Sequence, residues 1–272
     1  MRQNIEDREK WSSGTALDIR RAVTSCAGYI GTPGWSLMKS EILRSFSSFK
    51  GLKVVELGCG LGKMSLVFSL LGARPTLVDY NRDQLHSAET FHNFFGYNPE
   101  LIHGNILSIK DSLKESCDIS MSFGTAEHFW GDERQAVFDS HASVLNKGGL
   151  TMVWVPNRLG VLFHIGRNVR MLLGKLPARV DETPFTRREL KMRAKQAGLT
   201  NVRIVGADQL KYDFHHFIFK LPHLSKKSYE PPVLSPDVIR KDLLRMAQRN
   251  NSRIYPAGNY FSYPLLLVGY RK

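Results

Sequence analysis

A glycine-rich turn is the segment of this sequence that most directly suggests chemistry. Its residues, Glu56-Leu57-Gly58-Cys59-Gly60-Leu61-Gly62, follow a short β-branched run and precede an apolar helical pattern. A strand, a tight turn and a helix are therefore predicted in that order. Because glycines let a ligand come close to the chain, we expect bare backbone N–H groups to face a ligand at this turn.

Two acidic residues and one absent glycine indicate the kind of ligand. A dinucleotide-binding turn would carry a further glycine at position 63, where this chain has Lys63. Glu56 would repel a pyrophosphate and attract a cation. Asp79 ends the next predicted strand, about 20 residues after Gly58, where an acid can accept hydrogen bonds from ribose hydroxyls. This pattern favours a positively charged or zwitterionic adenosyl ligand over NAD, and a NAD-dependent oxidoreductase is the less favoured alternative.

The elements that must position these residues alternate along the chain. Strands are predicted at 52–57, 75–79, 101–103, 117–123, 150–155, 202–205 and 261–270. Helices are predicted near 17–26 and 36–49 and at 63–71, 82–95, 133–145, 186–198 and 235–249. Such alternation predicts an α/β fold with a mostly parallel, seven-stranded sheet and helices on both faces. We expect a helical cap at 1–49 and one domain at 50–272, with insertions at about 157–185 and 207–257.

Several segments together resemble the class I S-adenosylmethionine-dependent methyltransferases, particularly the small-molecule type. These are the glycine turn, Leu77-Val78-Asp79, His103-Gly104-Asn105-Ile106, the run from Asp118 to His128, and Leu145-Asn146-Lys147-Gly148-Gly149. Asn105 stands where the family more often has Asp. The resemblance covers about 50–205 and the terminal strand. It implies a Rossmann-like fold and S-adenosylmethionine as cofactor.

The resemblance also implies roles for single residues. The turn residues Gly58, Cys59, Gly60 and Gly62 would pass under the methionine part, with Glu56 near its amino group and Asp79 on the ribose. The residues expected beside adenine are Asn105 and Ile106. Phe123 and Gly124 would face the carboxylate and the sulfonium, and His128 is the candidate general base. Structural alternatives stay open: Cys59 as a small backbone contributor, Asn105 in a turn, Ile106 in the core and His128 as loop support.

No metal is predicted. Some relatives hold a divalent ion with a Glu-x-x-Glu-His cluster, and Gly124 replaces the first of those acids here. The adjacent His215 and His216 would point to opposite faces of a strand, so a metal there is not expected either. In this family the N-terminal helices and the insertions build the acceptor side. Candidates for it are the basic amphipathic stretch 159–176, acting as a lid or on a membrane surface, and the aromatic residues Trp11, Tyr29 and Trp35.

Charge is distributed unevenly along the chain. Residues 1–150 carry 16 Lys and Arg against 17 Asp and Glu, whereas residues 151–272 carry 22 against 8. The second half therefore favours an acidic or apolar acceptor, or peripheral contact with an anionic membrane surface. No RNA-binding pattern is recognisable, so nucleic acid is not the expected partner. Three scattered cysteines and a charged N-terminus without an apolar stretch predict a cytoplasmic protein.

We therefore expect methyl transfer to a small molecule such as a natural product, a quinone or a lipid-like metabolite. Methylation of RNA or protein, and a non-catalytic S-adenosylmethionine-binding partner subunit, are the alternatives. The intact set of Glu56, the glycine turn and Asp79 disfavours a decayed, non-catalytic chain.

Overall fold

A seven-stranded sheet with the strand order β3-β2-β1-β4-β5-β7-β6 organises the chain. The computed structural model describes residues 17–160, 164–165, 168, 172, 182–207, 229–231, 234–251 and 260–272. Its strands are β1 Lys53–Leu57, β2 Arg74–Asp79, β3 Glu100–His103, β4 Cys117–Phe123, β5 Leu145–Pro156, β6 Leu199–Gly206 and β7 Pro264–Arg271. β7 pairs antiparallel with β5 and β6, and the other neighbours are parallel. The predicted fold class is confirmed.

Apart from the short helix Lys110–Leu113, which was not predicted, the described helices lie close to their predicted positions. They are α1 Ile19–Ile30, α2 Pro33–Phe46, α3 Lys63–Leu70, α4 Arg82–Phe94, α5 Lys110–Leu113, α6 Gly131–Ser143, α7 Arg187–Gln196 and α8 Pro236–Arg249. Local capping explains several of the boundaries, because a side-chain oxygen accepts from a first-turn N–H. Thr32 does so for α2, and Thr186 accepts from Glu189 N–H at the predicted start of α7.

The start of β5 differs from the prediction. The strand begins at Leu145, before the glycine pair that was expected to precede it. Its pairing with β4 shifts from Cys117 opposite Leu145 to Ile119 opposite Leu150. The intervening residues therefore form an irregularity within the strand, where Gly148 adopts φ +77°. Sequence spacing indicated the turn residues correctly but not that pairing continues on both sides of them.

The N-terminal helices share a core with the sheet. Buried residues of α1 and α2, including Ile30 and Met38, belong to the same apolar cluster as Phe68 and Met152. Trp35 is fully buried there and donates its indole N–H to the carbonyl of Ala247 at 2.9 Å. The expectation that Trp35 closes a ligand pocket is therefore wrong, because its polar edge and its ring are used in packing. The division at residue 49 stays a prediction.

Helix α8, from the predicted second insertion, packs against these N-terminal helices. Lys39 of α2 donates to the carbonyls of Gln248 and Asn250, each at 2.7 Å. Asn250 in turn donates to the carbonyls of Ile30 and Thr32. These bonds satisfy the exposed carbonyls where helices end. The N-terminal helices and the C-terminal part of the chain are therefore joined beside the sheet.

Gly34 allows α2 to approach β5 closely. A Cβ atom at this position would lie 2.4 Å from the ring of Trp154 and 2.8 Å from the carbonyl oxygen of Ala207. The Gly34 N–H donates to that same carbonyl at 2.7 Å. The Trp154 ring lies in edge contact with Tyr29 of α1, with their centroids 6.1 Å apart. A helix start and a tryptophan are thus held together at the end of β5.

We expect Gly34→Ala to lower the free energy of unfolding by about 1–3 kcal/mol, because neither the indole nor the backbone carbonyl can yield without repacking. Gly28→Ala is the matched control, since nothing lies within 4 Å of a Cβ there. That helical change should be neutral or stabilising by up to about 1 kcal/mol. Urea unfolding of the three proteins measures both. Equal stability of Gly34→Ala and the wild type would contradict the close approach.

Candidate functional site

The candidate site lies where the strand order reverses between β1 and β4. In open α/β sheets, ligands bind at the carboxyl ends of the strands beside such a point. Here the glycine turn after β1 contacts the loop after β4, because Thr125 Oγ1 donates to the carbonyl of Gly58 at 3.2 Å. A Cβ on Gly58 would lie 2.4 Å from the Thr125 side chain. Glycine is therefore required at position 58 by the neighbouring loop.

The N–H groups of the glycine turn bond within the protein. Gly58 and Cys59 both donate to the carbonyl of Val78, at 2.8 and 3.0 Å, and Gly62 donates to that of Cys59. Gly60 N–H donates to Asp79 Oδ2 at 2.8 Å. The expectation of bare N–H groups at these four positions is wrong, because β2 and the turn itself take them. At these four positions the turn therefore does not present free donors of the kind that an anion-binding loop offers to a phosphate.

Space for a ligand does open above Gly60. A Cβ at Gly60, whose φ is +51°, would have no atom within 4 Å. At Gly62 the opposite holds: a Cβ would lie 2.9 Å from both Leu77 and the His92 ring. His92 is fully buried and its Nε2 donates to the Gly62 carbonyl at 3.0 Å. Of the two glycines, Gly60 borders open space and Gly62 is a packing position.

Asp79 lies at the carboxyl end of β2, as predicted, and both of its oxygens accept backbone hydrogen bonds. Oδ2 accepts from Gly60 and Oδ1 from Asn81 at 3.0 Å. The residue is half-buried, so part of the carboxylate still faces the open space. Each carboxylate oxygen can accept more than one hydrogen bond. Asp79 thus shapes the turn while keeping acceptor capacity for ribose hydroxyls.

Glu56 is buried under the turn. Its Oε2 accepts from the Ser65 hydroxyl at 2.5 Å and from the Ser65 N–H at 3.2 Å. Burial raises the pKa of Glu56 to about 7, although the two Ser65 hydrogen bonds and the charge of Lys63 oppose that shift. Lys63 lies close by, with its Nζ 5.7 Å from the centre of the Tyr29 ring. Contact of Glu56 with the amino group of a ligand stays a prediction.

The predicted adenine residues are engaged in local structure. Asn105 Oδ1 accepts from Leu107 N–H at 3.0 Å, which forms a turn after β3. Ile106 is buried in the apolar cluster that contains Val78. Cys59 packs in a small cluster with Leu77, consistent with a role through its backbone. Contacts of these three residues with adenine or the methionine part stay predictions.

Phe123 and Gly124 end β4 beside β5. Phe123 is in register with Trp154, and their ring centres are 6.0 Å apart. Gly124 has φ +73° and donates its N–H to the Trp154 carbonyl at 3.0 Å. His128 ends the short 3₁₀ turn Ala126–His128 and is half-buried. The structure therefore brings the residues predicted to follow β4 to the same edge as the glycine turn.

Two residues missing from the predicted site lie at this edge as well. Glu127 is 3% exposed, and Trp154 is 8% exposed at the end of β5. Burial raises the pKa of Glu127 to about 8, and the Glu182 charge adds to that shift. The sequence could have indicated Glu127, because it is a charged residue soon after a strand that ends where the strand order reverses. Trp154 had no such signal, because an aromatic in a strand is ordinary core.

Other predicted features of the acceptor side lie partly outside the described residues. Trp11, His215 and His216 lie outside, as does most of the stretch 159–176. Across the ranges that are described, no group of three or more His, Cys, Asp and Glu could hold a metal ion. None of the described helices is long and apolar enough to cross a membrane. Metal independence, a cytoplasmic location and contact with a membrane surface stay predictions.

A cavity of about 540 Å³ opens at the other end of the sheet. Lys53, Pro75, Glu100 and Cys117 line it, at the amino ends of β1 to β4. Ligands of open α/β sheets bind at the carboxyl ends instead. We therefore assign the site to the glycine turn and not to this cavity.

Sequence comparison agrees with the geometry of the site. Residues 54–149, from β1 into β5, match the model of a family described as a methyltransferase domain. Among curated protein sequences, none matches this chain.

Solved structures with the same fold include three methyltransferases. An S-adenosylmethionine-dependent methyltransferase from Archaeoglobus fulgidus is 17% identical with a TM-score of 0.52, covering 87% of this chain and 94% of its own. One from Thermotoga maritima is 16% identical with a TM-score of 0.56, covering 98% and 96%. Magnesium protoporphyrin IX methyltransferase from Synechocystis, with bound S-adenosylhomocysteine, is 13% identical with a TM-score of 0.54, covering 99% and 96%. At these identities the similarity concerns the fold.

The buried acids and histidines of the fold predict how stability depends on pH. The pKa values of Glu56 and Glu127 are raised to about 7 and about 8, whereas those of His92 and His141 are lowered to about 4 and about 3. Between pH 4.5 and 6.5 the folded protein keeps carboxyl protons that the unfolded chain has lost, and it lacks imidazolium protons that the unfolded chain carries. The two differences have opposite effects on how stability changes with pH. Above pH 6.5 the unfolded imidazoles lose their protons as well, so the raised pKa values of Glu56 and Glu127 become the larger of the two effects. Stability of the ligand-free protein should therefore fall from pH 6.5 to 8.

Urea unfolding at half-unit pH steps measures this decline. Glu127→Gln should reduce the loss of stability near pH 8, because the amide cannot ionise. The exposed Asp132→Asn should leave it unchanged. A wild-type stability that rises between pH 6.5 and 8 would show that the buried acids are not protonated in the folded state.

Proposed function

Because this chain carries a class I S-adenosylmethionine-dependent methyltransferase domain, we propose that it transfers the methyl group to a small-molecule acceptor bound beside Phe123, Trp154 and Tyr29. The contact of three aromatic rings at the carboxyl ends of the strands is the observation that carries the proposal. Trp154 lies within ring contact of both Phe123 and Tyr29, and all three are buried or half-buried. Aromatic side chains of this kind suit a small organic molecule. RNA or a protein side chain is the alternative acceptor class.

The described residues fit the cofactor by charge and by space. S-adenosylmethionine is cationic at sulfur and at its amino group, and the turn lies near the acidic residues Glu56 and Asp79. Open space above Gly60 borders Asp79, which we propose accepts the ribose hydroxyls. We propose that Asn105 and Ile106 flank the adenine, and that Phe123 and Gly124 border the methionine part.

When bound, the cofactor supplies a methyl group already activated by a positively charged sulfur. The protein therefore has to align an acceptor and exclude water, and alignment alone can lower a barrier by about 7–11 kcal/mol. The N-terminal helical segment contributes through Tyr29 and through Gly34, which lets α2 reach Trp154. We propose that this segment and the two insertions form the acceptor side. His128 is a candidate general base that half-exposure leaves accessible to an acceptor.

Asp79→Ala should weaken binding of S-adenosylmethionine by about 1–3 kcal/mol, because ribose hydroxyls lose a charged acceptor and the Gly60 N–H loses its partner. Isothermal titration calorimetry measures the change. Asp83→Ala, an exposed acid in the first turn of α4, is the matched control and should bind normally. An Asp79→Ala protein with wild-type affinity would rule out the ribose assignment.

The acceptor class is tested by radiolabelled methyl transfer. Total cell extract is divided into a filtrate of small molecules, an RNA fraction and a protein fraction, and each is incubated with the enzyme and labelled S-adenosylmethionine. We expect label in the small-molecule filtrate, with loss of incorporation in Asp79→Ala. Label confined to RNA or to protein would replace the small-molecule proposal with the alternative class.

The basic second half of the sequence predicts that salt weakens binding of the acceptor but not of the cofactor. If it attracts an acidic acceptor, the KM of the acceptor should rise with ionic strength while cofactor affinity hardly changes. Arg167 and Arg170 are the residues to reverse in sign, and both lie outside the described residues. Activity that responds neither to salt nor to this double reversal would limit the basic residues to a role in solubility.

A further inference from the structure

We propose that Glu127 binds the acceptor directly, and that the acceptor is an amine whose N–H proton passes to the Glu127 carboxylate. This inference rests on the proposed function and names the chemical class of its acceptor. It assigns the proton-accepting role to Glu127 in preference to its neighbour His128. Three observations carry it: an unpartnered buried oxygen, the engagement of the neighbouring Arg134 with other groups, and aromatic rings at the same strand ends.

The Glu127 carboxyl group is buried without its full set of hydrogen bonds. The residue is 3% exposed, and Oε2 has no hydrogen-bond partner in the described structure. Oε1 lies 3.4 Å from the position of a Cβ on Gly124, so the carboxyl group faces the residue that ends β4. A buried acceptor without a partner costs about 1–3 kcal/mol and needs an explanation. A ligand donor at the site would supply the missing bond.

Arg134, a described residue whose charge lowers the pKa of Glu127, forms its hydrogen bonds with other groups. Arg134 is buried in α6, and its Nε donates to Glu189 Oε1 at 2.8 Å. Its remaining N–H groups reach the carbonyls of Phe129 and Thr183, and its guanidinium lies 3.4 Å from the centre of the Phe185 ring. Arg134 therefore serves the packing of α6 against α7, and its hydrogen bonds in the described structure go to groups other than the Glu127 carboxylate.

The surroundings of Glu127 suit a positively charged ligand. Glu127 Oε1 faces Gly124, and the Gly124 N–H donates to the carbonyl of Trp154. Burial raises the pKa of Tyr29, and the charges of Glu56 and Glu127 raise it further. Tyr29 and Phe123 each contact the Trp154 ring. Aromatic faces beside a carboxylate attract an ammonium group through cation–π and charge interactions. A hydroxyl acceptor would gain only the hydrogen bond.

The chemistry follows from this placement. An ammonium group donates a hydrogen bond to Glu127, its N–H bond breaks, and the proton moves to the carboxylate while the electron pair stays on nitrogen. The freed nitrogen pair forms the bond to the methyl carbon as the carbon–sulfur bond breaks and its pair passes to sulfur. The product is a methylated ammonium, a neutral thioether and a protonated Glu127. A carboxyl group whose pKa lies near the working pH suits such a transfer.

Proton release on amine binding tests the proposal without turnover. The protein is saturated with S-adenosylhomocysteine, which has no methyl group to give, and titrated at pH 7 with primary amines from methylamine to 2-phenylethylamine. Each amine is paired with its hydroxyl analogue.

Because the pKa of Glu127 is about 8 in the empty site, binding of an ammonium should expel nearly one proton. Calorimetry in buffers of different ionisation enthalpy counts that proton. Among the described residues, Tyr29, Glu182 and Arg134 interact electrostatically with Glu127, and His128 lies beside it in the same turn.

Glu127→Gln should bind S-adenosylhomocysteine as the wild type does, bind the amines roughly ten- to a hundredfold more weakly, and release no proton. The hydroxyl analogues should be affected far less. Asp132→Asn, an exposed acid of α6, is the matched control and should behave as the wild type. Tyr29→Leu is a second variant that keeps the charge of Glu127, and it should weaken the amines without abolishing proton release.

Several outcomes would overturn the assignment. A loss of S-adenosylhomocysteine affinity in Glu127→Gln would place Glu127 on the cofactor. Proton release that survives Glu127→Gln but disappears in His128→Gln would transfer the role to His128. Wild-type protein that binds S-adenosylhomocysteine but no amine more tightly than its hydroxyl analogue would exclude an amine acceptor. Wild-type protein that fails to bind S-adenosylhomocysteine would instead contradict the proposed function itself.

Discussion

The hydrogen bonds between the end of β2 and the turn after β1 are the constraint on which the site depends. Val78 accepts two N–H groups of the turn through its carbonyl, and Asp79 accepts a third through its carboxylate. Parallel strands bring these ends side by side, so the sheet itself fixes the turn. With these three donors used internally, the turn borders open space at Gly60, beside the acidic side chain of Asp79. Such a surface is matched to a cationic adenosyl ligand and not to a pyrophosphate.

Buried acids give the site its electrostatic character. Glu56 has the Ser65 hydroxyl and N–H as partners, whereas one oxygen of Glu127 has none in the described structure. Burial raises the pKa of both, against the opposing charges of Lys63 and Arg134, and this disfavours the folded state as the pH rises. A protein keeps such groups where a ligand compensates for them. Stability and function are therefore linked at the carboxyl ends of β1 and β4.

The acceptor end is assembled from distant parts of the chain. Tyr29 comes from α1 and Trp154 from the end of β5, and the missing side chain of Gly34 lets α2 approach the indole. Hydrogen bonds between Lys39 and the residues after α8 join the N-terminal helices to the C-terminal part of the chain. The cofactor side is formed by a few neighbouring strand ends. The acceptor side, in contrast, forms only when several segments that are distant in the sequence fold together.

The sequence by itself determined the fold class, most helix and strand positions and the carboxyl-end location of Asp79, because periodicity, capping and glycine spacing are local properties. It also indicated the cofactor, since the turn and the acid lie within one strand–helix–strand unit. Only the tertiary structure decided that the turn N–H groups bond internally, that Trp35 is core and that Glu127 faces the site without a full set of partners. These outcomes depend on which groups meet across neighbouring strands and helices, and hydrogen-bond satisfaction and burial are properties of that assembly and not of any one segment.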